Sequence, residues 1–350
     1  MKKRLELIVI VTFVICIGAV LYQIRQNEAA VAADGDYIKW VEFNASTQAL
    51  KKACMLDIES YRDEVHLNWI TLLAYAAVKG GGEFNDKSLK YIEEVAQALT
   101  DQTTSYEKLV QKYKHFSYYY EAYNAVLGGM LGEYEIEGEK SDGQTTWERQ
   151  YGLKAYSPIA EGFDYQDYDD FGASRSFGYR RPHLGHDMMG LVGTPIIATE
   201  SGYVEALGWH RYGGWRIGIR SFDKKRYYYY AHLRQNRPYA KGLEIGDIIT
   251  AGDVIGYMGH TGYSDTENVN NIETVHLHVG LQLIFDEAQK ECDNEIWIDF
   301  YQLAQFLHAH RSRVVRDDAT KEWKRQYGMR DPAVESYEKS IKDGTQDSSE

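Results

Sequence analysis

Imidazoles and a carboxylate are the groups from which a single-metal centre is built, and this chain carries them in two short stretches. They are Arg181-Pro182-His183-Leu184-Gly185-His186-Asp187 and, well downstream, His276-Leu277-His278. Side chains alternate faces along an extended strand, so His183 and Asp187 are expected to project together while His186 points away. The second stretch follows the same logic. Leu277, Val279, Leu281 and Leu283 form an apolar row, and His276, His278, Gly280 and Gln282 form the opposite one, the pattern of a half-buried strand presenting imidazoles to a cavity. Two nitrogens and a carboxylate oxygen converging from two strands make a three-donor zinc site with the fourth tetrahedral position left for water. Zinc held in this way lowers the pKa of that water to about 7 and polarises a carbonyl oxygen, which is the chemistry of hydrolysis.

Hydrolysis also needs a base for the water and an acid for the leaving group, and imidazole serves both. His276 and His278 lie two residues apart, about 6.6 Å along one strand face. One can bind the metal while the other contacts the water, and periodicity leaves open which. His232 closes the run Tyr227-Tyr228-Tyr229-Tyr230-Ala231-His232 and, by alternation, shares a face with Tyr228 and Tyr230. It is the natural second catalytic histidine. His186 and His210 read as structural, and His66 and His115 are isolated.

Positioning these groups takes a sheet. Short segments rich in β-branched or aromatic residues run from Thr194 to Thr199, Tyr203 to Leu207, Trp215 to Phe222, Arg226 to His232, Ile248 to Ile255 and Val275 to Leu283, with glycines between most of them. Strands without intervening helices indicate an antiparallel core. Gly246-Asp247-Ile248-Ile249 and Gly252-Asp253-Val254-Ile255 read as two arms of one tight strand-turn-strand unit, and Glu295 to Arg316 reads as a helix docking on the sheet. Upstream, from Trp40 to Tyr134, apolar spacing is helical, which predicts four or five short helices packed as an independent bundle. The charged, glycine-containing stretch after it has linker composition.

The amino terminus places Lys2, Lys3 and Arg4 before an apolar run from Leu7 to Tyr22. Counted as about 20 residues, the run spans a bilayer as a helix, and the basic residues hold its start in the cytoplasm. The competing reading is a secretory signal cleaved near Ala30-Val31-Ala32, and both readings export the body of the protein. The expected organisation is therefore α+β. It comprises a tip and transmembrane anchor (1–34), a helical domain of unknown role (35–134), a linker (135–155), a mainly antiparallel β domain with a C-terminal helix (156–316) and a polar tail (317–350). A net charge of −13 argues against a nucleic-acid partner, since such partners select a basic stripe. The three cysteines, Cys16, Cys54 and Cys292, have no metal-knuckle spacing and demand no disulfide.

From Arg181 to Leu283 the sequence resembles the lysostaphin/LytM-type zinc endopeptidases, which cleave peptide bonds of bacterial cell-wall peptidoglycan. The resemblance rests on His183-Leu184-Gly185-His186-Asp187, Gly193-Thr194-Pro195, Tyr230-Ala231-His232-Leu233, Gly259-His260-Thr261-Gly262 and His276-Leu277-His278, in the family's order. It implies one zinc per chain held by His183, Asp187 and His278, with His232 and His276 as the catalytic pair. It also implies an open antiparallel groove walled by loops, and wall peptides as substrate. The loop Tyr263 to Val275, with Asp265, Glu267 and Glu273, is longer than the family's and is expected to form a rim of the cleft. Tyr179 or another upstream tyrosine is a loose match for the group that steadies the oxyanion.

Membrane-bound zinc endopeptidase is thus the leading expectation, with a protein partner for the helical domain left open. A catalytically silent scaffold that holds a cell-division or sporulation partner in the same groove is the alternative. A biotinyl- or lipoyl-type carrier fails because Thr250-Ala251 stands where the hairpin tip needs a lysine, and a serine hydrolase fails for want of Gly-x-Ser-x-Gly.

Overall fold

The computed structural model describes residues 38–138, 145–290 and 294–344. The chain divides into a smaller unit, Met1–Val41 with Phe285–Ile296, and a larger one, Glu42–Ile284 with Trp297–Glu350. In the smaller unit a 3-10 turn, Glu287–Gln289, is capped by Asp286, and the Gln289 amide donates to the carbonyl of Ile38 at 2.9 Å. The apolar amino-terminal run lies outside the described residues. Among the described residues no helix is long and apolar enough to cross a membrane.

The larger unit opens with five helices, α1 (Thr47–Glu59), α2 (Trp69–Gly80), α3 (Asp86–Thr100), α4 (Tyr106–Lys112) and α5 (Phe116–Leu127). The first four start on side-chain caps, Ser46, Asn68, Asn85 and Ser105, each accepting from a free backbone N–H of the first turn. Gly81, at φ 68°, ends α2 in the left-handed region that only glycine enters without cost. Leu50, Ala53, Ile92 and Val95 are buried, as the helical stripes require. Cys54 is a free, buried thiol, pushed up to about 12 by burial and then by the charge of Asp57.

These helices do not form the independent bundle expected from the sequence. Asp57 on α1 is buried and accepts from the Trp69 backbone N–H (2.8 Å), the His66 ring (2.7 Å) and the hydroxyl of Tyr151 (2.7 Å), which belongs to the following hairpin. Arg226, from the sheet, reaches the carbonyl of Ala125 at the end of α5 (2.8 Å) while its guanidinium pairs with buried Glu200 at 2.7 and 3.0 Å. Removing one partner of such a buried pair costs about 3–5 kcal/mol, so helices and sheet are held together by a contact that composition does not display.

Among the described residues, the segment expected as a linker instead holds the end of β1 (Leu131–Glu137) and all of β2 (Trp147–Leu153), which pair as a hairpin. Its charge is one face of a strand. Glu133, Glu135 and Glu137 alternate with Tyr134 and Ile136, and Arg149 pairs with Glu133 across the hairpin. The expected polar tail is structured as well within the described residues. After the sheet come β15 (Val314–Arg316), β16 (Trp323–Arg325), β17 (Met329–Arg330) and α7 (Pro332–Lys342), and β17 pairs with β1. Asp331 caps α7, accepts from Ser201 and pairs with Lys154 at 2.7 Å.

Between these ends lie β3 (Gln166–Asp167), β4 (Ser174–Phe177), β5 (Tyr179–Pro182), β6 (His186–Met189), β7 (Pro195–Ile197), β8 (Gly202–His210), β9 (Gly214–Ser221), β10 (Arg226–Ala231), β11 (Ile248–Ile249), β12 (Val254–Tyr257), β13 (His276–Leu283) and β14 (Ile296–Ile298). The main sheet runs β11-β8-β9-β10-β13-β6-β3 with antiparallel neighbours throughout. Its back carries Ile217, Tyr228, Tyr230, Leu277, Val279 and Leu281, all essentially without solvent contact.

The two Gly-Asp repeats are not arms of one hairpin, since β11 pairs with β8 and β12 with β7. Each is its own turn: Gly246 (φ 93°) and Gly252 (φ 91°) take positive angles while Asp247 and Asp253 accept from the backbone N–H three residues earlier. The segment from 295 to 316 likewise holds a strand, β14, the short helix α6 (Tyr301–Leu307) and a second strand rather than one helix.

Candidate metal centre

β6 and β13 lie side by side in a register that sets Asp187 directly opposite His278 and Met189 opposite His276. Alternation along β13 places both histidines on the face away from the apolar row, as expected. His183 arrives by a different route. It sits in the turn between β5 and β6, not on a strand, and its backbone is pinned to the preceding loop by His183 N to Ala173 O (2.8 Å) and Gly172 N to His183 O (2.7 Å). Gly185 makes that turn feasible, because a side-chain carbon there would stand 2.4 Å from the His278 ring and 2.9 Å from the carbonyl of Val279. His186 faces the other way, buried against Tyr301 with its Nε2 3.2 Å from Asp167.

The three expected ligands converge. His183 Nε2 is 2.9 Å from His278 Nδ1, and each lies 3.0 Å from Asp187 Oδ1. On the far side of His183, Nδ1 lies 3.2 Å from the carbonyl of Asp170 and 3.3 Å from Arg175 Nη2; a proton on Nδ1, donated to that carbonyl, leaves the Nε2 lone pair turned inward. Burial pulls His278 below the usual imidazole range, favouring the neutral ring that binds metals. Burial pushes the Asp187 carboxyl up, but the imidazoles of His183 and His278 against it outweigh burial and hold it well below the usual carboxylate range. A carboxylate and inward lone pairs about 3 Å apart call for a cation between them. Tetrahedral zinc bonds of about 2.0–2.2 Å separate donors by about 3.3–3.6 Å, so the donors need part by only about 0.3–0.7 Å to admit the ion. The donor set fits zinc.

His276 and His232 flank these donors. Nδ1 of His276 donates to the carbonyl of Thr274 (2.8 Å), leaving Nε2 free, 3.8 Å from Asp187 Oδ1. Nδ1 of His232 donates to the carbonyl of Thr261 (2.9 Å), and its ring centre is 4.7 Å from that of His276. Burial, followed by the charges of His276 and His278, holds His232 well below the usual range, so it too is a neutral acceptor. The face expected for His232 is corrected here. Tyr228 and Tyr230 lie on the back of the sheet, bonded to Glu200 and Thr199, and strict alternation would send His232 after them. Its φ of 60° breaks the strand and turns the ring to the metal-site side.

Several contributors gave no sequence signal. Arg175 on β4 donates to Asp187 Oδ2 at 3.1 Å and pairs with Asp170. Tyr179 is exposed at the β4–β5 turn with its ring on Tyr212. Tyr263, not Tyr179, is the tyrosine beside His232, its ring edge-on at 6.2 Å. The long loop that begins at Tyr263 is fastened by Asn268, whose side-chain oxygen accepts from Trp215 and from the Asn236 backbone, both at 2.9 Å.

An antiparallel sheet thus gathers two imidazoles and a carboxylate, with two more imidazoles alongside, a donor set that could hold a single metal ion. Residues 181–291 match Peptidase family M23. Over 124 residues the chain is 40% identical to the L-Ala–D-Glu endopeptidase of Bacillus subtilis, covering 35% of this chain and 36% of that protein. Over 89 residues it is 35% identical to lysostaphin of Staphylococcus simulans, covering 25% of this chain and 17% of that protein. The chain thus spans about a third or less of the length of these curated relatives. The solved catalytic domain of Staphylococcus simulans lysostaphin is 27% identical, with a TM-score of 0.32, over 40% of this chain and 92% of that one.

Proposed function

We propose that this chain is a zinc endopeptidase that hydrolyses peptide bonds of peptidoglycan outside the cytoplasmic membrane, to which its apolar amino-terminal run tethers it. The observation that carries the reading is the meeting of His183 Nε2, His278 Nδ1 and Asp187 Oδ1 within 3.0 Å of one another, with His276 and His232 alongside. In this reading His183, Asp187 and His278 hold one zinc, whose contribution when bound is Lewis acidity: a coordinated water with a pKa of about 7 and a polarised carbonyl oxygen. The protein's own groups supply the rest. Nε2 of His276, with Nδ1 tied to Thr274, takes a proton from the attacking water and delivers it to the leaving amine. His232, its Nδ1 tied to Thr261, turns a neutral Nε2 lone pair to the site and is the second group that can accept a proton from the attacking water. The names of the relatives, an L-Ala–D-Glu endopeptidase and lysostaphin, support wall peptides as the substrate class.

The test is to load the purified chain with zinc, quantify the metal, and incubate it with peptidoglycan. About one zinc per chain and new amino termini by mass spectrometry are expected. Bound zinc without new termini would favour the silent scaffold, and no bound zinc would remove the reading altogether.

A further inference from the structure

Arg175 and Asp170 lie upstream of the family-matched residues 181–291, yet both touch the proposed ligands. Arg175 Nη2 donates to Asp187 Oδ2 at 3.1 Å and to Asp170 Oδ2, so one guanidinium nitrogen ties the two carboxylates together. Asp187 is thereby divided. Oδ2 is committed to Arg175, and Oδ1 alone faces His183 and His278 at 3.0 Å. His183 Nδ1 lies 3.2 Å from the carbonyl of Asp170, 3.3 Å from its carboxylate and 3.3 Å from Arg175 Nη2, so the two acceptors of Asp170 hold the proton on this nitrogen and Arg175 packs beside it. The side chains of Arg175 and Asp170 are only 29% and 18% exposed, which puts the network under cover rather than on a mobile surface.

The hairpin that carries Arg175 is held at its other end too. Phe177, at the end of β4, stacks on Tyr263 with ring centres 5.0 Å apart and planes within 6°. Arg175 is therefore presented to Asp187 by a strand pinned at its tip.

We propose that Arg175 and Asp170 are positioning residues of the metal centre, a clamp that fixes one oxygen of Asp187 and one nitrogen of His183 toward the ion. The proposal rests on the metal-binding part of the reading above. Hydrogen-bonded partners that orient metal ligands are typically worth about 10- to 100-fold in affinity. Electrostatics alone predicts the opposite sign, because deleting a cation beside a metal site strengthens binding of a second cation. The sign of the effect therefore separates a positioning role from a mere charge.

The experiment is chelator competition for zinc on the full chain and on Arg175→Met, Arg175→Lys and Asp170→Asn, with the visible spectrum of the cobalt-substituted forms as a second readout. Arg175→Met is expected to bind zinc about 10- to 100-fold more weakly. Its cobalt bands should lose intensity as Asp187, released at Oδ2, binds through both oxygens. Arg175→Lys, which can still donate to both carboxylates, should keep affinity within a few-fold and keep the spectrum. Asp170→Asn, which retains the carbonyl, should fall between them. Equal or tighter zinc binding by Arg175→Met with an unchanged cobalt spectrum overturns the proposal. If Arg175→Met does not fold, the cobalt spectrum of Asp170→Asn decides, since loss of an anion by itself weakens zinc binding: an unchanged spectrum overturns the clamp. A wild-type chain that binds no zinc refutes the underlying metal reading instead, which is a distinct result.

Discussion

β13 and the end of β10 both bring an imidazole to the metal site, and they do so by opposite means. On β13, regular alternation carries His276 and His278 to one face while Leu277, Val279 and Leu281 seal the other. At the end of β10 the alternation has to fail: Tyr228 and Tyr230 go to the back, and His232 reaches the front only through a left-handed φ of 60°. The regular strand places its groups at no conformational cost. The broken one stores strain of about 1–2 kcal/mol at a residue with a Cβ, supported by the bonds His232 N to Gly213 O (2.7 Å) and Nδ1 to Thr261 O (2.9 Å). Strain of this kind concentrates where geometry serves a site rather than the fold.

The largest effect should come from the regular strand. His278→Ala removes one of three donors, and the dialysed protein should retain less than about a tenth of an equivalent of zinc and release no new termini from peptidoglycan. Metal analysis after dialysis checks this; a full equivalent of zinc in the variant would show that the ligands lie elsewhere. His276→Ala, two residues away on the same face, should behave differently. Losing a group that only moves protons, it should keep its zinc while turnover falls about 10²- to 10⁴-fold. Parallel zinc quantification and rate measurement separate the two histidines, which periodicity alone could not.

This contrast also marks what was legible in the sequence. The meeting of Asp187 with His278 was, because β13 is a half-buried strand whose two rows differ plainly in polarity, and because the two residues sit on adjacent regular strands. Strand alternation predicts that His183 projects with Asp187, and it does so by another route. A turn through Gly185, not an extended strand, brings it to Asp187. The hairpin β1–β2 was misread because its alternation, Glu133-Tyr134-Glu135-Ile136-Glu137, was masked by charge, and because its partner β17 lies far along the chain. Arg175 and Asp170 were invisible for a related reason. Their role is defined by tertiary contact with Asp187 and His183, and nothing in their neighbours' spacing points there.

Gly185→Ala tests the turn. The added methyl would meet the His278 ring at 2.4 Å, with a backbone carbonyl behind it at 2.9 Å, so the ring has to move. Zinc affinity should drop while the fold survives, since overpacking one site costs about 1–3 kcal/mol. Chelator competition together with a thermal melt of the metal-free protein reads both. Undiminished affinity would mean that His278 tolerates displacement and that the close approach is incidental.

The smallest effect bears most directly on the difference between the two strands. Replacing each histidine by glycine and by alanine removes the imidazole in all four variants, so within each pair only the backbone preference remains. At His232 the left-handed conformation penalises alanine, and His232→Gly should be more stable than His232→Ala by about 1 kcal/mol. At His276, in extended backbone, the preference reverses, and His276→Gly should be less stable than His276→Ala by about 0.5–1 kcal/mol. Urea unfolding with chelator present measures both differences free of metal. Opposite signs at the two positions are the expected result; the same sign at both would mean that His232 relaxes out of its left-handed conformation once the ring is gone, and that the break in β10 follows from the imidazole's contacts rather than from the chain around it.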